Sequence, residues 1–144
     1  MLRHWRQRGA ESAVSKPNIE RGTTMTEYVV LLPGDESQWE STSQADKEAM
    51  YAIHHEFAQA LESRGHRVTG GSELANSREA KVLRTDGDGN HTVTDGPYAE
   101  TVEQLTGFYI VDSENLDDLI EVCKILARGE SAIEIRAAAG GSAS

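Results

Sequence analysis

Tyr28-Val29-Val30-Leu31-Leu32, closed by Pro33-Gly34, and Leu105-Thr106-Gly107-Phe108-Tyr109-Ile110-Val111 are two short, nearly unbroken apolar runs. Each has strand length, and an unbroken run rather than an alternating one suits a strand buried on both faces. Ile133-Glu134-Ile135-Arg136 behaves differently. Its alternation is that of a strand with one face in water. Outward from the first run, Ser43 is placed to cap a helix with Asp46 at its third position, and Met50, Ile53, Phe57 and Leu61 follow at helical spacing until Gly65. A polar loop through Trp39 joins the two. Residues 67–69 read as extended and Gly70-Gly71 interrupts them; residues 80–84 and 91–94 then form the arms of a hairpin around Asp86-Gly87-Asp88-Gly89-Asn90. After the second run, Ser113 or Asn115 caps a helix carrying Leu116, Leu119, Ile120, Cys123 and Leu126, and Glu114, Asp117 and Asp118 suit its positive end.

This order predicts an α+β protein, a ferredoxin-like βαββαβ sandwich. In that arrangement the first and third strands are central, which are the two continuous runs, and the last lies at an edge, which is the alternating one. Two helices cover one face of such a sheet. The other face presents apolar residues of both central strands, so burial predicts a homodimer packed sheet against sheet, a dimeric α+β barrel.

A chain of 144 residues allows one domain with a single core. With 24 acidic against 14 basic residues, the formal charge of -10 opposes nucleic acid and anionic membranes, so neither is expected as a partner. No segment approaches the roughly 18 apolar residues of a membrane span. Residues 1–24 hold five basic and two acidic residues without an apolar centre, which leaves 9 basic against 22 acidic residues in the remainder. They read as a disordered or non-native extension, with the domain over residues 25–137 and a flexible tail over 138–144. A functional basic arm that meets DNA is the rival reading of the leader. Without a secretory signal the expected location is cytoplasmic. The lone Cys123 excludes an internal disulfide and a thiolate zinc cage, and on the apolar stripe it reads as a packed hydrophobe.

Candidate chemistry is sparse. The aspartate loop at residue 86 begins like a calcium site, but His91 stands where Gly is needed and Pro97 where Glu is needed, so it reads as a turn. His54 and His55 point about 100° apart on a helix and do not readily share a metal. Neither a metal nor another cofactor is expected. What remains is Asp95-Gly96-Pro97-Tyr98-Ala99-Glu100. Structurally, Gly before Pro supplies an unusual backbone and Asp95 braces the turn through amides downstream. Functionally, a carboxylate at a strand end can act as general base or orient a histidine. His54 is its natural partner, lying about 40° from Met50 on the helical wheel at the margin of the buried stripe, where a side chain faces a cleft; the alternative is a half-buried helix residue bound to water or backbone.

The stretch Val93-Thr94-Asp95-Gly96-Pro97-Tyr98-Ala99-Glu100-Thr101, continued by Gln104-Leu105-Thr106-Gly107-Phe108-Tyr109-Ile110-Val111-Asp112, resembles the signature of the YCII-related, DGPF-domain family. Gly34-Asp35-Glu36 with Trp39, Gly70-Gly71-Ser72-Glu73-Leu74 and Glu134-Ile135-Arg136 extend the resemblance over residues 25–136. It implies a dimeric barrel and a cleft holding a His and Asp pair, here His54 as acid or base and Asp95 orienting it, with Tyr98, Gly96 and Pro97 shaping the substrate pocket. Some such relatives are lyase-like enzymes that eliminate chloride from chlorinated aromatics, and others are encoded beside sigma factors. Tyr98 stands where Phe is usual, Val102 where Lys is common, Thr106 where Gly is frequent and Ala137 where Pro often follows Arg. The expected function is therefore binding of a small organic ligand with proton transfer or elimination, lyase-like or isomerase-like. The alternative is a non-catalytic ligand-binding or regulatory module, linked to sigma-factor-dependent transcription.

Overall fold

A computed structural model describes residues 24–140. The expected leader lies outside those residues except for Thr24, as does the end of the expected tail. The elements run β1 (Thr26–Asp35), α1 (Glu36–Glu40), α2 (Gln44–Ser63), β2 (Arg67–Glu73), β3 (Lys81–Thr85), β4 (His91–Asp95), β5 (Glu103–Ser113), α3 (Leu116–Cys123) and β6 (Glu134–Ala137), with single 3-10 turns at Ser77–Glu79 and Leu126–Arg128. β2, β5, β1 and β6 form a four-stranded sheet in that order, with every neighbouring pair antiparallel. The two apolar runs are central, as expected. β3 and β4 pair only with each other, Leu83 opposite Val93, and make a separate two-stranded arm. The result is an α+β fold compatible with the ferredoxin-like expectation.

Alternation decides which side chains are buried. Val30 and Leu32 of β1, Val68 of β2, and Tyr109 and Val111 of β5 turn inward. There they meet Phe57 and Leu61 of α2 and Leu119, Val122 and Cys123 of α3 in one apolar core. Val29, Leu31, Phe108 and Ile110 turn to the opposite face and each keeps part of its surface exposed. Ser43 caps α2 through Asp46 N, and Asn115 caps α3 through Asp118 N; of the two caps proposed for α3, the asparagine is used. Gly71, at φ 141°, lies so close to β5 that a Cβ there would stand 2.5 Å from the Phe108 carbonyl oxygen. Glycine is thus required where β2 meets β5.

Three local readings are corrected. Gly70-Gly71 does not interrupt the second strand, which runs on to Glu73 past a register slip between Val68 and Gly70. Pro33-Gly34 does not end β1: the register slips between Leu32 and Pro33, and the strand continues through a bulge to Asp35. The Thr106 hydroxyl holds the Leu32 carbonyl at 2.8 Å beside that bulge. The supposed loop before Trp39 is a single helical turn, α1, capped by the Asp35 carboxylate on Ser37 N. Hydrogen bonding with Ser37 holds the Asp35 carboxyl below its ordinary range.

Candidate active site

The bulge of β1, α1, the first half of α2, the end of β2 and the turn after α3 surround a cleft of about 700 Å³. Lys47, Met50, Tyr51 and His54 of α2 line it, at the i, i+3, i+4, i+7 spacing of one helical face. Trp39 of α1 meets Tyr51 edge to face, with ring centres 5.8 Å apart, and Lys47 Nζ lies 5.1 Å from the Trp39 ring centre.

His54 sits at the inner wall with its side chain 11% exposed. Its Nδ1 is 2.7 Å from the hydroxyl of Tyr109, a residue only 1% exposed, and the two rings stack. Its Nε2 faces Glu130 Oε2 across 3.6 Å, and that carboxylate is 12% exposed. The phenol can donate to Nδ1 or accept from it, so the ring keeps this partner in either tautomer while Nε2 gains or releases a proton. Glu130 comes from a distant part of the chain. The Met50 thioether packs into the space beside Gly129, where a Cβ would collide with its Sδ. Arg128 also ties this turn to α2 through Glu56 at 2.7 Å.

Glu73, at the end of β2, completes the polar part of the wall. Its Oε1 accepts from the Tyr51 hydroxyl at 3.1 Å. Burial raises the Glu73 carboxyl above its ordinary range, against the opposing pull of Tyr51 and His54. The same burial, with Glu73 beside it, pushes the Tyr51 phenol up to about 12.

The other expected site residues lie on the arm. Asp95 closes β4 with its side chain 77% exposed and its carboxylate on Lys81, where bonds to amides downstream were expected. Gly96 has the predicted unusual backbone, at φ 94°, and its amide donates to the Ala80 carbonyl. Tyr98 is 79% exposed beneath Arg84, whose guanidinium is 5.4 Å from the ring centre. Asp95, Gly96, Pro97 and Tyr98 are not among the residues lining the cleft, so a single chain does not bring Asp95 together with His54. The physical reason is that β3 and β4 satisfy each other and leave the main sheet. His55 is exposed, and His54 is the histidine that faces the cleft.

Tyr51, Tyr109, Glu73 and Glu130 were missed as site residues. The helical spacing of Tyr51 with His54 was the available signal for the first; the others enter from β2, β5 and the turn before β6. The Asp86 loop is a turn whose carboxylate accepts from Asp88 N and Asn90 N. These bonds lower the Asp86 carboxyl. Elsewhere, Ser113 Oγ, His66 and Asp118 are linked at 2.8 and 2.7 Å in the order of a hydrolytic triad. Ser113 is 1% exposed and also bonds the Asn115 backbone, so this chain of bonds clamps the turn between α2 and β2 to β5 and α3 and gives no access to a substrate. Its hydrogen bond to His66, with Arg64 beside it, lowers the Asp118 carboxyl.

An antiparallel α+β sheet with a side cleft built around one enclosed histidine defines the class. The sequence profile of the YCII-related domain matches residues 26–137, and the chain belongs to that family. An uncharacterised protein of Rhizobium meliloti (strain 1021) is 31% identical over 104 residues, which cover 69% of this chain and 79% of that protein. Among the described residues no helix is long and apolar enough to cross a membrane.

Proposed function

We propose that the protein works as a cytoplasmic homodimer, a dimeric α+β barrel with one cleft per subunit. Each cleft binds a small organic molecule and moves a proton at His54 Nε2. In this reading Nε2 takes a proton from a carbon of the ligand; the ring then returns it to another atom of the ligand, an isomerisation, or keeps it while a leaving group departs, an elimination. Glu130 faces the resulting imidazolium and Tyr109 holds the ring in place. The partly exposed Val29, Leu31, Phe108 and Ile110 on the helix-free face support the pairing of two sheets. Asp95, Gly96, Pro97 and Tyr98 enter as the rim that a second subunit's arm offers to the cleft.

The observation that carries the reading is His54 itself: nearly enclosed, on the wall of a cleft, with one nitrogen on a buried phenol and the other loosely opposed by a carboxylate. Loss of a ligand C–H signal in D2O, followed by NMR, tests it whichever product forms, because isomerisation replaces the proton by deuterium and elimination removes it. The wild type should lose a ligand C–H, and His54→Ala should slow that loss by about 10² to 10⁴. Equal loss in both ends the proposal. One observation favours a second reading, a binding or regulatory module without turnover: the expected partner Asp95 is on the arm. Ligand binding without loss of a C–H would select it.

A further inference from the structure

We infer that the cleft takes a cation, a small ammonium compound with an aromatic or apolar body, and holds its nitrogen at the Glu73 carboxylate. The inference rests on the ligand-binding cleft proposed above and names the ligand's chemistry.

The charge lining the cleft is one-sided. Six carboxylates face it against the single cation Lys47. Three at the rim already have work in the fold. Asp35 caps α1, Glu36 accepts from both the amide and the hydroxyl of Ser77, and Glu40 pairs with Arg78. Asp46 is exposed, and Glu73 differs from the other three because, partly buried as it is, it receives a single hydrogen bond from the described residues, at Oε1, where each of them accepts two. Lys47, the one lining cation, acts on Glu73 through its field, with its Nζ lying over the Trp39 ring. Glu130 adds a second nearly enclosed negative charge by His54.

The wall beside Glu73 is aromatic. Tyr51 and Trp39 meet edge to face, and the Lys47 ammonium lies over the Trp39 ring. An ammonium group entering here gains a charge-assisted hydrogen bond to Glu73, the field of Glu130 and the ring quadrupole. A carboxylate ligand meets two partly desolvated charges of its own sign. Of the two, the cation is the ligand for which the cleft is complementary, and its binding replaces the water that Glu73 loses by burial.

The test uses three probes of matched shape with the full chain: 2-phenylethylamine, 2-phenylethanol and phenylacetate, measured by calorimetry and by ligand-observed NMR at pH 7. The amine should bind on the order of tenfold more tightly than the alcohol, with phenylacetate weakest, and added salt should shrink the preference. Glu73→Gln, which keeps an acceptor for Tyr51, should remove the preference for the amine and leave the alcohol unchanged; Glu130→Gln should reduce it by a smaller factor. Phenylacetate binding as tightly as the amine, or an undiminished amine preference in Glu73→Gln, overturns the inference while leaving the ligand cleft standing. Failure of all three probes to bind overturns it as well. The reading built on His54 is judged separately, by loss of the ligand C–H signal in D2O.

Discussion

In the cleft, His54 and Glu130 are almost closed off from solvent, and each meets another functional group. On the β3–β4 arm, Leu83, Val93 and Tyr98 stand mostly in water, and Asp95 is answered by its neighbour Lys81. The arm carries the motif that is easiest to recognise in the sequence, whereas the cleft carries the group best suited to chemistry. A short motif built on glycine, proline and a turn is recognisable because its backbone demands are local. An acid–base site is assembled from side chains that tertiary packing brings together, and it leaves little trace in any one segment.

The sharpest way to break this contrast is to remove one acid–base group from each region. His54→Ala should slow ligand proton removal by about 10² to 10⁴, while Asp95→Asn should change it by no more than about threefold. An equal loss in both would mean that Asp95 of the second subunit's arm acts in the proton transfer itself and not only as rim.

Glycine substitutions compare the two regions through stability. Gly71→Ala places a Cβ against the β5 backbone at a positive φ and should lower unfolding stability by about 3 kcal/mol. Gly96→Ala meets open space at φ 94°, so only the backbone penalty of about 1 kcal/mol applies. Urea midpoints check both. Next in size is Tyr109→Phe, which leaves His54 Nδ1 without its buried hydroxyl partner and should cost about 1–2 kcal/mol. It should also alter the pH profile of any exchange that His54 performs.

The smallest effect is a matter of pH. The folded-state pKa of Glu73 is raised by burial, so its protonated form is the better tolerated one. Its contribution is therefore most favourable below the unfolded value near 4.5 and is lost as pH rises through the higher folded value. Glu73→Gln should accordingly melt slightly above the wild type at pH 7, and the gap should close as pH falls below 4. A gap that widens in acid would contradict the sign.

Much of the fold was legible because its signals are local. Unbroken apolar runs marked β1 and β5 as central, alternation at Ile133 and Ile135 marked β6 as an edge, and Ser43 and the choice of Ser113 or Asn115 announced two helices, of which Asn115 proves to make the second cap. α1 escaped notice because one helical turn has no period to read. Pro33-Gly34 looked like a stop because a bulge is visible only in the register between strands. At the site, His54 could be placed from the helical wheel. Glu73 and Glu130 could not, since each reaches the cleft from another element and neither belongs to a spacing pattern with α2.

Cys123 lies inside the core, and desolvation pushes its thiol up to about 12. In the native protein it is shielded from alkylating reagents and, at neutral pH, is almost entirely in the unreactive protonated state. Modification by iodoacetamide therefore waits for the helix layer to open. The native chain contains a single chemical clock whose rate times that opening, with no engineered label required.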